Sequence, residues 1–129
     1  MAIAVQSDTT LIKPLSGAVV RRRTCGGTVT AGQPVYLDSS GYVQPTAASA
    51  VATNYCYGIA IQSGASGDTV DVVVYGPCSC VTGATPGGIV YTADTAGTVS
   101  ATAGTKTTIL GVAESATVVF IRPSIISLS

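Results

Sequence analysis

Hydrophobic and polar positions alternate in short runs along most of the chain, and glycine or proline interrupts the runs every few residues. The run TVDVVVYGP at 69–77 places valines on both faces of a predicted strand, because side chains alternate along a strand. The run ATVVFIRP at 116–123 has the same character, so both strands are predicted to be covered on both sides. Pro77 and Pro123 are predicted to end them, since proline has no N–H for the ladder.

Eight further runs, rich in valine, threonine, tyrosine and isoleucine, are predicted as strands. They lie at 16–24, 34–38, 42–46, 57–62, 78–82, 89–93, 98–102 and 108–114. The one helical candidate is TAASAVATN at 46–54, which is short enough to be a loop instead. The pattern therefore predicts an all-β fold.

The two halves of the chain repeat the same elements in the same order. The pair VY at 35–36, followed by a turn and a further valine, recurs at 90–91. The triplet GIA at 58–60 recurs as GVA at 111–113, and the runs VVVYGP and VVFIRP close the two halves. Such an internal repeat favours a scaffold in which each half buries one apolar face.

The length of 129 residues suits one domain with one core. We expect a compact β-sandwich or partly open β-barrel at 17–129, built from two pseudo-repeated strand sets at about 28–77 and 82–123. Residues 1–16 are predicted to form an extended N-terminal arm. Its apolar residues follow neither a helical nor a strand period and need another surface to cover them. They are Ile3, Val5, Leu11, Ile12 and Leu15.

The amino-acid composition indicates a protein that functions through contacts with other subunits or with a partner. Charged residues make up 9% of the chain and hydrophobic residues 47%, whereas an average soluble domain has about 25% charged residues. No apolar run approaches the roughly 18 residues of a membrane span, so the apolar excess is expected in subunit or partner contacts. The net charge of zero gives no general attraction to nucleic acid or anionic membranes. No secretory signal pattern opens the chain, so synthesis and use in the cytoplasm are expected.

The residues predict neither an enzyme nor a cofactor. The chain has no histidine, which excludes histidine-based triads, and it contains no phosphate-binding or nucleophile motif. Asp38 and Asp94 fall in turns of the two halves and are expected to bond nearby backbone N–H groups, with a calcium or substrate role as the alternative. The four cysteines are expected to be small buried hydrophobes, with one or two exposed thiols. CSC at 78–80 is a weak zinc signal, and disulfides would need an oxidising environment.

Half of the six basic residues stand together as Arg21, Arg22 and Arg23. On a strand, Arg21 and Arg23 share one face and Arg22 takes the other. Two interpretations stay open: the charges protect an edge strand from aggregation, or they form a salt-sensitive contact with acidic residues of a partner. These arginines and the five apolar residues of the arm are the candidate partner-binding residues.

Over roughly residues 17–123 the chain resembles the small capsid decoration, or cement, proteins of tailed bacteriophages. The resemblance lies in the ordered segments TVTAGQPVYLDSSGYVQPTA, YGIAIQSGASGDTVDVVVYGPCSCV, GGIVYTADTAGTVSATA and TILGVAESATVVFIRPSI. The cysteines and the arginine cluster lie outside the shared pattern.

This resemblance implies a non-enzymatic β-domain that binds the outside of an assembled icosahedral shell and holds neighbouring coat subunits together. The implied partners are the major capsid protein and the chain itself, as a homotrimer. It also implies that the N-terminal arm makes part of the shell contact. The implied location is the outer capsid surface of the virion, after synthesis in the host cytoplasm.

Two alternatives stay open. The chain could be another virion part, such as a head-fibre base or a tail component. From a different class, it could be a carbohydrate- or ligand-binding β-domain, which would need aromatic platforms and convergent polar groups. The available aromatic platforms are Tyr36, Tyr42, Tyr55, Tyr57, Tyr75 and Tyr91.

Overall fold

The computed structural model describes residues 3–47 and 56–125. Within these residues the chain forms twelve strands and one 3-10 turn at Thr9–Leu11, so the fold is all-β, as predicted. The strands are β1 (Ala4–Val5), β2 (Lys13–Pro14), β3 (Val19–Thr24), β4 (Pro34–Leu37), β5 (Val43–Pro45), β6 (Gly58–Ala60), β7 (Thr69–Ser79), β8 (Val81–Thr82), β9 (Ile89–Thr92), β10 (Val99–Ser100), β11 (Thr108–Ala113) and β12 (Val118–Ile125). The predicted helix at 46–54 lies largely outside the described residues.

Every predicted strand run overlaps an observed strand, but the prediction that prolines end two of them is wrong. β7 continues through Pro77 to Ser79, and β12 continues through Pro123 to Ile125. The Pro77 carbonyl accepts a hydrogen bond from the Leu15 N–H at 3.0 Å. Proline removes one donor from a ladder and leaves its acceptor, so the pairing continues on both sides of it.

The strands form two units with the same topology. Unit 1 comprises β4 to β7, in which β4 pairs with β5 and β6, and β6 pairs with β7. Unit 2 comprises β9 to β12, in which β9 pairs with β10 and β11, and β11 pairs with β12. The antiparallel pairing of β7 with β12 joins the units into one strongly curled sheet. β2 and β3 also pair with β7, and β1 pairs with β8 in a smaller sheet.

The two units match in register as well as in topology. In each unit, three residues oppose one another directly across three neighbouring strands. The inner row in unit 1 is Pro34, Ile59 and Val73, and the outer row in unit 2 is Ile89, Val112 and Phe120. Directly opposed residues of antiparallel strands lie on the same face of a sheet, so each row is one line of neighbouring side chains.

Steric crowding explains why both repeated triplets begin with glycine. A Cβ atom at Gly58 would overlap the backbone carbonyl oxygen of Val73, and a Cβ atom at Gly111 would overlap that of Phe120. Val73 and Phe120 hold equivalent places in the inner and outer rows. The same close approach of two backbones therefore fixes glycine at the same point of both units.

Unit 1 encloses its own hydrophobic core. Cys25, which follows β3, forms a parallel bridge to Val43 of β5, and the Gly26 N–H donates to the Val43 carbonyl at 3.0 Å. Because β3 pairs with β7, this bridge connects β7, at one end of the unit, through β3 to β5 at the other end. The enclosed second core comprises Cys25, Val29, Val35, Val43, Ala60, Val70 and Val72.

The main core lies between the two units. Unit 2 contributes Val90, Val99, Leu110, Ala113, Val119 and Ile121, and unit 1 contributes Ile59 and Val73 from its inner row. The back of unit 1 is thus buried against the concave face of unit 2.

The segment predicted as an arm lies along the β-domain from residue 3 onward. β1 pairs with β8, β2 pairs with β7, and the Gln6 N–H donates to the Cys80 carbonyl at 3.0 Å. Ile12 is 6% exposed and belongs to the main core. The surface that covers much of this segment is therefore the chain's own core.

Candidate partner-binding surfaces

The outer row is exposed where the inner row is buried. Val112 is 44% exposed and Ile89 is 42% exposed, whereas Ile59, the counterpart of Val112, has no exposed surface. Phe120 is half-buried, and its ring meets that of Tyr75 edge to face at a centroid distance of 5.2 Å. We refer to Ile89, Val112, Phe120 and Tyr75 together as the outer strip.

The outer strip is an uncovered hydrophobic sheet face. It crosses β9, β11, β12 and β7, and Val19 of β3 opposes Tyr75 at its end. The prediction that the strands at 69–77 and 116–123 are covered on both sides is wrong for the described chain by itself. Tyr75 is 48% exposed, and the face of β12 opposite Val119 and Ile121 is partly open. The sequence does carry a signal for this surface, namely apolar residues at both alternating positions.

Two of the three clustered arginines are held by neighbours within the chain. Arg22 Nε lies 3.2 Å from Asp71 Oδ1, and Arg22 Nη1 donates to Thr69 Oγ1 at 3.4 Å. The Arg23 guanidinium lies 5.3 Å from the centre of the Tyr57 ring and donates to Tyr57 Oη at 3.3 Å. These contacts orient both side chains along β3.

Arg21 is exposed and makes no side-chain hydrogen bond or ion pair with the described part of the chain. The register places Arg21 opposite Val72 and Arg23 opposite Val70, with Arg22 opposite Asp71. The prediction that Arg21 and Arg23 share a face is therefore confirmed. Arg21 is the member of the cluster whose charge is available to a partner.

The apolar residues of the predicted arm differ in their surroundings. Ile3 and Val5 are half-buried and pack against the main core, and Leu15 is also half-buried. Ile12 lies inside that core, so its side chain is not available to a partner. Leu11, which is 49% exposed, keeps an open hydrophobic side chain.

The carboxylates predicted to lie in turns act as hydrogen-bond acceptors. Asp38 Oδ1 accepts from the Ser40 and Tyr42 N–H groups at 2.9 and 3.0 Å, and Asp38 Oδ2 accepts from Gln44 Nε2 at 3.0 Å. These bonds, that of Gln44 above all, lower the pKa of Asp38. Asp38 therefore takes the predicted turn role.

Asp94 bonds across a loop instead of within its own turn. Its Oδ2 accepts from Thr105 Oγ1 at 2.6 Å, and its Oδ1 accepts from the Thr105 N–H at 2.7 Å. The bond to the Thr105 side chain is the main cause that lowers the pKa of Asp94. Both aspartates thus accept hydrogen bonds and have lowered pKa values, but they differ in where their hydrogen-bond partners lie.

The four cysteines are free thiols, of which three are buried and Cys56 is half-buried, so the prediction of one or two exposed thiols is wrong. Burial, followed by the charge of Asp68, raises the pKa of Cys25, and burial raises the pKa of Cys56 to about 12. The adjacent Cys78 thiol, together with burial, raises the pKa of Cys80. In the described ranges, no three His, Cys, Asp or Glu side chains stand close enough together to hold a metal ion. No helix in those ranges is long and apolar enough to cross a membrane.

A cleft of about 420 Å³ lies between the N-terminal segment and the loops at 30–33 and 97–99. Its lining side chains are aliphatic, hydroxyl or amide groups, with neither an aromatic ring nor an ionisable group among them. A sugar site needs a ring to stack against and convergent polar groups. The cleft therefore gives no support to the carbohydrate-binding alternative.

Comparison with known proteins does not assign the chain to a family. No protein-family model matches the sequence, and no curated protein is significantly similar to it. The resemblance to decoration proteins therefore stays a prediction. The outer strip and the free charge of Arg21 are the two surface features from which a function can be argued.

Proposed function

We propose that this chain is a structural virion protein that binds the outer surface of an assembled phage capsid and stabilises contacts between neighbouring coat subunits. The outer strip carries the proposal. Three of its four residues form the outer row, whose counterparts in the inner row of unit 1 are buried. A surface of this kind gains hydrophobic free energy when a partner covers it.

The size of the outer strip favours a repeated contact over an isolated tight complex. Neighbouring strands of a sheet lie about 4.8 Å apart, so the four strands of the outer strip span about 14 Å. A stable pairwise interface buries about 800 Å² on each partner, which is more than four partly exposed side chains offer. Weak contacts become strong when several are made at once by joined subunits, and a shell presents many copies of the same coat protein.

The proposed partners are the major capsid protein and the chain itself, as a homotrimer on the outer capsid surface of the virion. Low charge content supports a role in broad neutral contacts, and the resemblance to decoration proteins supports the trimer. Three joined chains would present three outer strips to one shell, so the second and third contacts form at a high effective concentration.

The test is cosedimentation of the purified protein with assembled shells of the phage that encodes it. We expect Val112→Asp to weaken shell binding by at least about tenfold, because a carboxylate buried without a partner is costly. Thr117→Asp, which adds the same charge at an exposed position outside the strip, should bind as the unmodified protein does. Leu11→Asp measures the contribution predicted for the N-terminal segment.

Two results would overturn the proposal. The first is that the Val112→Asp protein keeps its melting temperature and binds shells as tightly as the Thr117→Asp protein does. The second is that a label attached to this chain lies at the tail or at a fibre base of intact particles, which would favour a role as another virion part. Native mass measurement separately tests the trimer.

A further inference from the structure

The edge of β3 is a second open surface, distinct from the outer strip. Among the described residues, β3 pairs with β7 and with no other strand. At its end the Cys25 N–H donates to the Asp68 carbonyl at 2.7 Å. Bonded positions alternate along an antiparallel pair, so Arg23 and Arg21 direct their backbone groups to β7. The N–H and C=O groups of Arg22 and Val20 point to the open edge, which ends near Thr24, where the bridge between Cys25 and Val43 brings β5 alongside.

The charges on this edge decide which chain can pair with it. Arg21 has no partner within the described residues, and the Arg22 side chain is 63% exposed although it contacts Asp71. A second copy of β3 added to this edge would bring arginines close to arginines, which is destabilising. An acidic segment would meet a complementary charge instead.

We propose that the edge of β3 binds an extended acidic segment of a partner protein as an added strand. The outward N–H and C=O groups around Arg22 would pair with the backbone of the segment, and Arg21 would pair with a carboxylate on it. A hydrophobic residue of the segment would lie beside Val20, which is exposed. The proposal concerns a different surface from the outer strip and does not require that the partner be a capsid.

The binding test uses three labelled seven-residue peptides, with the sequences VDVDVDV, VKVKVKV and VDPDVDV, the last of which keeps the charge of the first. Fluorescence polarisation at low and high salt should show that the first binds, that high salt weakens it, and that the lysine peptide does not bind. The proline peptide should bind more weakly, since proline removes a donor from the added strand. Equal binding of the acidic and lysine peptides would overturn the proposal.

Charge reversal tests the role of Arg21. We expect Arg21→Glu to weaken binding of VDVDVDV by at least about tenfold at low salt, and Arg122→Glu to leave it unchanged. Arg122 is an exposed arginine on β12, so this control makes the same change in net charge elsewhere. Equal affinity of the two variants would contradict an electrostatic contact at Arg21.

Amide hydrogen exchange separates strand addition from simple charge attraction. On addition of VDVDVDV, exchange of the Arg22 amide should slow, because its outward N–H becomes a ladder donor. Exchange at Arg22 that is unchanged at saturating peptide would overturn the added strand. None of these results depends on shell binding, so the edge of β3 and the outer strip succeed or fail separately.

Discussion

The two units have the same strand order and the same register, yet only one of them has a covered back. Ile59 in the inner row is enclosed by the main core, while Val112 at the matching position of the outer row faces outward. The difference comes from the arrangement of two units in one chain: unit 2 covers unit 1, and the described residues contain no third unit to cover unit 2. A repeated pattern therefore predicts a repeated local structure without predicting repeated burial.

The units also differ in how their cores are closed. Unit 1 is closed by the chain after β3, through the bridge between Cys25 and Val43. The core beside unit 2 is covered from outside the unit by the N-terminal segment, with Ile12 as its inserted side chain. Each unit thus depends on chain from outside the unit to close its core.

The largest expected effect tests what the units share. Gly58→Ala and Gly111→Ala should each lower the free energy of unfolding by about 3 kcal/mol or more, because the new methyl group meets a backbone carbonyl that can move only with its strand. Chemical denaturation measures both. Gly41→Ala is the control, since space around it is open; its positive φ should cost only about 1 kcal/mol. A tolerated Gly111→Ala would break the equivalence of the units.

Truncation within the two rows tests what the units do not share. Ile59→Ala should cost about 3 kcal/mol through the cavity it leaves in the main core. Val112→Ala should change the free energy of unfolding by no more than about 0.5 kcal/mol, since the site is exposed. The same denaturation experiment compares them. Similar losses at both positions would mean that the back of unit 2 is covered after all.

Adjacent residues of the N-terminal segment test how the core beside unit 2 is closed. Ile12→Ala should cost about 2 kcal/mol because it empties a buried site. Leu11→Ala, one residue earlier, should stay within about 0.5 kcal/mol. Thermal melts of the two variants distinguish these outcomes. An Ile12→Ala protein as stable as the Leu11→Ala protein would mean that the segment does not help to close the core and would favour the predicted extended arm.

The smallest effect concerns acid sensitivity. Asp38 and Asp94 have folded-state pKa values below the usual aspartate value, so their contribution is present above about pH 4 and is lost as the pH falls through the lower folded pKa. Asp38→Asn and Asp94→Asn should each shrink the fall in melting temperature between about pH 7 and about pH 3. Glu114→Gln is the control, because its carboxylate makes no hydrogen bond or ion pair within the described ranges. An equal change in all three would remove any special role of the two aspartates.

Local pattern was sufficient to predict β3 to β12 and the repeat, because alternation and turn residues act over a few neighbours. It missed β1 and β2, which lie in the segment predicted as an arm. It failed at Pro77, where pairing with other strands keeps β7 intact past the proline. The exposure of Val112 and the burial of Ile12 depend on which distant segments pack together. The neighbours of Arg22 and Arg23 likewise come from β7 and from Tyr57, far along the chain. Periodicity carries no information about such contacts.

β7 belongs to both halves of the molecule. Its first part lies between β3 and β6, and its last part pairs with β12 and β2. Unfolding of either unit would remove hydrogen-bonding partners from one part of β7, which is a continuous strand. We therefore expect that neither unit melts while the other stays intact. The protein should consequently unfold in a single cooperative step, with no populated half-folded species.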